Sequence, residues 1–311
     1  MLKLPNTDLE VSPLTLGTNV FGWSIDKEQS FKILDHYLEL GGNFLDTADN
    51  YSQWKDGNTG GESEAIIGAW LNKGKNRSKV VLASKVAKLN TRRGLSPANI
   101  RAALEDSLAR LQTDYLDIYY SHEDDLTVPT VETLNCYTEL IKEGKIRYIA
   151  ASQHTGERLA QALMISKREN LASYIALQDH YNLMARKTYE QSQMQVVKDN
   201  HLSTLPFYGL AKGFLTGKYR AGITVDSVRA SSVAEYFTPT GWQVLDALTQ
   251  ISAARGKPIA AIALAWLRSN PTVITPIASA TSLEQLRQIM QVVELSQDEV
   301  ELLNSASNEN R

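Results

Sequence analysis

The feature that most restricts the fold of this chain is a rhythm: short runs of β-type residues alternate with longer runs of helical periodicity along most of its length. After a hairpin expected over 2–11, strands are expected at 14–16, 43–46, 79–84, 115–120, 146–151, 174–178, 203–206 and 272–275. The first helix carries an apolar stripe of Phe31, Leu34, Leu38 and Leu40 and stops at Gly41-Gly42. A second follows Gly60-Gly61 with Ile66, Ile67, Trp70 and Leu71 on one side. Ser96-Pro97, a capping residue before a proline at the first helical position, opens a third, with Ile100, Ala103, Leu104, Leu108 and Leu111 as its stripe. Further helices are expected over 130–142, 157–167, 187–200, 233–254, 259–269 and 283–292, with a glycine-bearing insertion at 211–231.

The 79–84 run is nearly continuous Val, Leu and Ala, as a parallel strand covered on both faces requires. No Pro/Gly/Ser linker divides the chain. The pattern therefore implies an α/β chain folded over 1–311 as one (β/α)8 TIM barrel with a short N-terminal β-hairpin. An open doubly wound sheet is disfavoured because no Gly-x-Gly-x-x-Gly follows the first strand.

Composition narrows the function. Lys plus Arg number 32 against 35 Asp plus Glu, a net charge of −3, and no basic tract is present, so no nucleic-acid partner is expected. The lone Cys136 reads as helix packing, and no Cys/His spacing resembles a metal site. Residues 1–10 are polar, and no apolar run reaches the roughly 18 residues of a membrane span, so no membrane partner and a cytoplasmic location are expected.

In a barrel the working face lies at the carboxyl ends of the strands. Asp46, Lys85 and His122 end successive strands, and Tyr51 lies just beyond the first of them. Together they form a coherent proton-donor set. A phenol titrates near ~10, so acting near neutrality asks for roughly 4 kcal/mol of help. A cation about 4 Å away at an effective dielectric of about 20 supplies ~4 kcal/mol. Lys85 is that cation, Asp46 would hold it, and His122 could bond a carbonyl oxygen or relay a proton. Each residue also has a structural reading: an Asp46–Lys85 ion pair, a half-buried loop tyrosine, a rim histidine.

The segments Asn43-Phe44-Leu45-Asp46-Thr47-Ala48 with Tyr51, Glu62-Ser63-Glu64 with Gly68, Ala83-Ser84-Lys85, and Thr113-Asp114-Tyr115-Leu116-Asp117 leading to His122 occur in one order. Gly144-Lys145-Ile146-Arg147, Tyr181-Asn182-Leu183, Gly213 through Tyr219 and Leu283-Glu284-Gln285-Leu286 follow. Along nearly its whole length the chain resembles an aldo-keto reductase. That resemblance implies a barrel that binds a nicotinamide dinucleotide, NADP(H) preferred with NAD(H) left open, and reduces a small carbonyl or sugar substrate. It implies Tyr51 as general acid, Lys85 and Asp46 as its tuners, and His122 as the carbonyl-positioning residue. For the cofactor it implies Gly17 and Thr18 at the first strand end with Asp46, and Ser152, Gln153 and Gln178 at the carboxamide. Phe207 would face the nicotinamide ring, Leu210, Gly213 and Lys218 the pyrophosphate, and Ser279, Thr281 and Gln285 the adenosine end.

The chain departs from the family pattern at Gln153 (usually Asn), Phe207 (usually Tyr), Ser279 (usually Gly), Thr281 (usually Arg) and Ile289 (usually Asn). Arg287 is a substitute cation for a 2′-phosphate. Phe21, Trp23 and Trp54 are expected at the barrel mouth as a substrate wall. Two other roles stay open: an NAD-linked sugar or polyol dehydrogenase, and a regulatory subunit resembling the potassium-channel β subunits, which keep a cofactor.

Overall fold

A computed structural model describes residues 1–220 and 230–308. The 221–229 part of the expected insertion lies outside the described residues. The chain begins with an antiparallel hairpin, β1 (Leu2–Lys3) and β2 (Glu10–Val11). The eight barrel strands are β3 (Thr15–Gly17), β4 (Phe44–Asp46), β5 (Val81–Val86), β8 (Leu116–Ser121), β9 (Ile146–Ser152), β10 (Tyr174–Gln178), β11 (Ser203–Thr204) and β12 (Ile277–Ala278). All pair in parallel, in the order β11-β10-β9-β8-β5-β4-β3-β12. Thr204 N donates to the Thr272 carbonyl at 2.7 Å, and Ile277 N to the Pro206 carbonyl at 2.9 Å, which closes the ring. The fold is a (β/α)8 barrel.

Side chains alternate along a strand, so every second residue enters the barrel. Those inward positions run from apolar to polar toward the carboxyl ends: Phe44 then Asp46, Val81 and Ala83 then Lys85, Ile118 and Tyr120 then His122. Ala150 then Ser152 and Ala176 then Gln178 repeat the gradient. Leu4, Leu9 and Val11 of the hairpin pack on the apolar end and plug it. Burial of apolar area holds the barrel closed below, while the other end is left polar.

Helices cover the outside: α1 (Lys27–Glu39), α2 (Glu62–Gly74), α3 (Pro97–Leu111), α4 (Thr130–Lys142), α5 (Gly156–Glu169), α6 (Met194–Asp199), α7 (Ala230–Val233), α8 (Pro239–Arg255), α9 (Ile259–Ser269), α10 (Leu283–Ile289) and α11 (Gln297–Ala306). The Ser96 hydroxyl caps α3 by accepting from Asn99 N, and all five expected stripe residues are buried. The expected stripe of α1 holds at Leu34, with Phe31 and Leu38 packed against the core, and is corrected at Leu40. Its buried face is Ser30, Ile33, Leu34 and Tyr37, and Leu40 is exposed. Tyr37 sets the rotation: its hydroxyl donates to the Leu14 carbonyl at 2.7 Å and accepts from Phe44 N at 3.1 Å, fixing the helix to two strands.

Three other boundaries differ. The helix expected over 233–254 starts at Pro239, because Thr238 caps it through Gly241 N and a 3-10 turn (Ala234–Tyr236) precedes it. The helix expected over 187–200 opens with a π turn (Tyr189–Gln193) that seats the Tyr189 hydroxyl 2.7 Å from Thr204 and 2.6 Å from Thr272. The eighth strand is displaced from 272–275 to Ile277–Ala278: Val273 makes one isolated bridge, and the stretch paired with Thr15 and Leu16 follows Pro276, which has no N–H to donate. The structure adds α11 and a hairpin, β6 (Lys88–Leu89) and β7 (Arg92–Arg93), that the sequence pattern did not disclose.

Candidate active site

Strand register brings the polar ends together. Asp46 is opposite Gly17 and Ala83, Lys85 opposite Tyr120, and Gln178 opposite Ser152. Lys85 Nζ donates to Asp46 Oδ2 at 2.6 Å, to the Thr47 carbonyl at 2.8 Å and to the Tyr51 hydroxyl oxygen at 2.8 Å. All three ammonium protons are thus placed. The Tyr51 hydroxyl donates to Asp46 Oδ2 at 3.3 Å, and Gln178 Nε2 donates to Asp46 Oδ1 at 2.9 Å. The His122 ring lies edge-on to Tyr51, with centroids 6.1 Å apart.

Burial governs the titration of Tyr51, Lys85 and His122. It pushes the Tyr51 phenol well above its ordinary value, and the Asp46 carboxylate opposes ionisation further. Burial also lowers Lys85, against the pull of Asp46. His122 is held well below its usual range by burial and by the nearby Lys85 and Lys88 charges, so its ring is neutral at pH 7. In the resting site the Tyr51 phenol is held protonated, even with the Lys85 ammonium 2.8 Å away. The Lys85 ammonium is fixed where it can offset negative charge on the tyrosine oxygen without moving.

A cavity of about 820 Å³ opens on Tyr51 and His122. Gly17, Asp46, Ser152, Gln153, Gln178, Phe207, Leu210, Gly213, Lys218, Ser279, Thr281 and Gln285 line it, with Trp23 and Trp54 at the same mouth. Lys85 stands behind Tyr51, fully buried. Two expected residues are corrected. Thr18 is buried outside the cavity, its hydroxyl donating to the Asp46 carbonyl at 2.9 Å and accepting from Ser63. Phe21 is a core residue, 0% exposed, held by its carbonyl's bond from Ser52 Oγ at 2.7 Å. Its loop turns the ring inward to join the helix-side core.

The lining fits an elongated polar ligand. The buried Ser152 hydroxyl has no hydrogen-bond partner among the described residues, although it lines the cavity, so a ligand amide can satisfy it. At Gly17 a Cβ would sit 2.9 Å from Ile277 Cγ2 and 3.0 Å from Ser279 Oγ, so the wall can pass there only without a side chain. Gly213 has φ +101°, a conformation that glycine takes freely, and it exposes backbone beside Lys218. Phe207 stacks on His180 with centroids 5.5 Å apart and lays its ring along the wall. The Gln153 amide donates to the His122 carbonyl at 3.1 Å and so braces the catalytic end.

Several lining residues were not anticipated: Asn19, which accepts from Ser279 Oγ at 2.7 Å, and Asn50, Lys88, Tyr208, Lys212 and Gln288. Arg287 does not line the cavity. Its Nε donates to His36 Nε2 at 3.1 Å on the side facing α1.

Residues 13–308 match the model of the aldo/keto reductase family. The chain belongs to the aldo/keto reductase family. An uncharacterized oxidoreductase of Bacillus subtilis, YrpG, is 34% identical over 95% of this chain and 91% of its own length. The protein tas of Escherichia coli is 32% identical over 95% and 94% respectively. A putative voltage-gated potassium channel subunit beta of Schizosaccharomyces pombe is 31% identical over 94% and 87%. As an aldo/keto reductase the chain is an NAD(P)-dependent oxidoreductase. Among the described residues no helix is long and apolar enough to cross a membrane.

Proposed function

We propose that this aldo/keto reductase reduces aldehydes or ketones to alcohols in the cytoplasm, with Tyr51 as the general acid and NADP(H) preferred by a narrow margin. The whole chain, 1–311, works as one barrel domain. The bound nicotinamide supplies the hydride. The observation that carries the reading is the hydrogen-bonded line from Asp46 through Lys85 to the Tyr51 hydroxyl at the end of the cavity. Tyr51 holds a proton over the neutral range because its phenol is pushed up by burial. His122, neutral, donates a hydrogen bond to the substrate carbonyl oxygen and aims it at that proton. As the proton leaves, the fixed Lys85 ammonium offsets the charge appearing on the tyrosine oxygen.

The residues of the cavity divide along its length. Ser152 and Gln178 fit a carboxamide, Phe207 a flat ring, Leu210, Gly213 and Lys218 a pyrophosphate, and Ser279, Thr281 and Gln285 an adenosine. Trp23 and Trp54, edge to face with centroids 5.7 Å apart, form a wall for the substrate. Following NADPH oxidation against a panel of aldehydes, ketones and sugars tests the reading. Multiple turnover is expected. Cofactor binding without turnover of any member would instead favour a regulatory role, the role named in the S. pombe relative.

A further inference from the structure

The strand that carries Lys85 leaves the barrel through a strained residue. Ala87 has φ +114°, a region that an L residue occupies only when the surroundings force it. The turn starts the β6–β7 hairpin and brings Lys88 into the cavity wall. Gln53, two residues after Tyr51, clamps the hairpin: its Nε2 donates to the Lys88 carbonyl at 3.2 Å and its Oε1 accepts from Asn90 N at 3.0 Å. Lys88 is therefore fixed relative to the proton donor. Strain accepted at this point places a cation beside the reacting end, a result that a relaxed strand exit does not give.

That cation is incompletely compensated. Its nearest carboxylate oxygen, on Glu123, is 3.5 Å away, and the Glu123 side chain is itself 38% exposed. Burial, with Arg93 adding to it, outweighs Glu123 and lowers the Lys88 ammonium below its ordinary value. The other cations lining the cavity among the described residues are Lys212, which pairs with Glu235 at 2.6 Å, and Lys218, beside Gly213 at the end proposed for the pyrophosphate. Lys88 alone of the three acts on His122. In the same cavity wall, Trp23 and Trp54 offer apolar faces. A second anion there would relieve the ammonium, and an aromatic or apolar body would lie against the faces that the tryptophan pair turns to the cavity.

We propose that Lys88 is a specificity-determining residue, and that the substrates taken best are aldehydes or ketones with an apolar or aromatic body carrying a carboxylate. This rests on the reductase reading. The test compares kcat/KM for 4-carboxybenzaldehyde and for its methyl ester, with NADPH, in the natural protein, Lys88→Met and Lys88→Arg. The natural protein should favour the acid by about 10-fold, the scale of one charge-assisted hydrogen bond. Lys88→Met should bring the ratio to parity, chiefly through KM for the acid, and Lys88→Arg should restore it. Added salt should narrow the ratio in the natural protein. A ratio already at parity in the natural protein, or one that survives Lys88→Met, overturns the proposal while leaving the reductase reading intact. In parallel, 4-carboxybenzoate and methyl benzoate are titrated by tryptophan fluorescence with NADP+ bound. If neither aldehyde turns over, the full panel decides the reductase reading, and the Lys88 proposal is decided separately by whether the carboxylate's tighter binding disappears in Lys88→Met, as expected, or persists and overturns it.

Discussion

Lys85 Nζ lies 2.8 Å from the Tyr51 hydroxyl oxygen, and the same nitrogen is tied to Asp46 and to the Thr47 carbonyl. The cation is thus placed before any charge develops on the phenol. If Tyr51 is the proton donor, Tyr51→Phe keeps the ring contacts with Trp54 and His122 but has no proton to give. Turnover should fall by about 10²-fold or more with cofactor affinity unchanged, the usual scale for losing general acid catalysis. Steady-state rates together with a cofactor titration check this, and near-normal turnover would remove Tyr51 from the mechanism.

Lys85→Met removes the positive charge and leaves Asp46, 1% exposed, with only part of its hydrogen bonding. Breaking a buried pair from one side typically costs about 3 to 5 kcal/mol, so the variant should melt earlier and is best assayed well below its Tm. In the proposed mechanism alcohol oxidation uses the ionised tyrosine, so its rate should rise with pH as Tyr51 deprotonates. Without the lysine charge, burial and Asp46 both still oppose ionisation, and that rise should move to higher pH. An unchanged profile in a folded variant would show that the lysine's charge does not act on the phenol.

Asp49, between Asp46 and Tyr51, is fully buried, and neither carboxyl oxygen has a hydrogen-bond partner among the described residues. Burial, and next the Glu64 carboxylate, push it from an ordinary 3.8 up to about 8, against Arg110 and Arg92. A carboxyl whose folded value is raised binds a proton that the unfolded chain has lost. The stability it permits is therefore full below the unfolded value and is lost progressively as pH rises from about 4 to about 8. Asp49→Asn cannot ionise and should escape this loss. Its Tm relative to the natural protein should be higher at pH about 9 than at pH about 5. Thermal melts at the two pH values check this, and an identical difference at both would mean that Asp49 does not titrate in this window.

The shared rim of Asp46, Lys85 and His122 was legible because strand alternation is a rigid rule. Once Asp46, Lys85 and His122 are strand-end residues, their common rim follows from the register that the structure shows between β4, β5 and β8. Loops obey no such rule. Phe21 and Trp23 are two residues apart on one loop, yet one ring enters the core and the other lines the cavity. Lys88 was missed because its direction depends on the positive φ of Ala87, an alanine that carries no sequence signal for such a turn. The eighth strand was misplaced because Thr272–Thr275 has the β composition, whereas the barrel's pairing with β3 comes beyond Pro276. Thr238-Pro239 was a readable helix start, of the same form as Ser96-Pro97, and the apolar run before it obscured it.

In the proposed arrangement, cofactor choice turns on the end of the cavity lined by Ser279, Thr281 and Gln285. A 2′-phosphate held by arginine gains a charge-assisted bond worth roughly 1.5 to 3 kcal/mol, about 10- to 150-fold in affinity. At the matching position Thr281 offers a hydroxyl, already donating to Gln285 Oε1 at 3.0 Å while its N–H donates to the same oxygen at 2.9 Å. Gln285, Gln288 and Ile289 beside it carry no charge, and Arg287 is engaged with His36. Lys218 belongs to the pyrophosphate in the proposed arrangement, which both cofactors share, so it does not discriminate. The proposed preference for NADPH should therefore be only a small margin. Thr281→Arg should widen it through tighter NADPH binding, with NADH affinity nearly unchanged. Dissociation constants for both reduced cofactors, in the natural protein and the variant, check this. Equal or tighter binding of NADH by the natural protein would reverse the assignment and favour an NAD-linked dehydrogenase working toward oxidation.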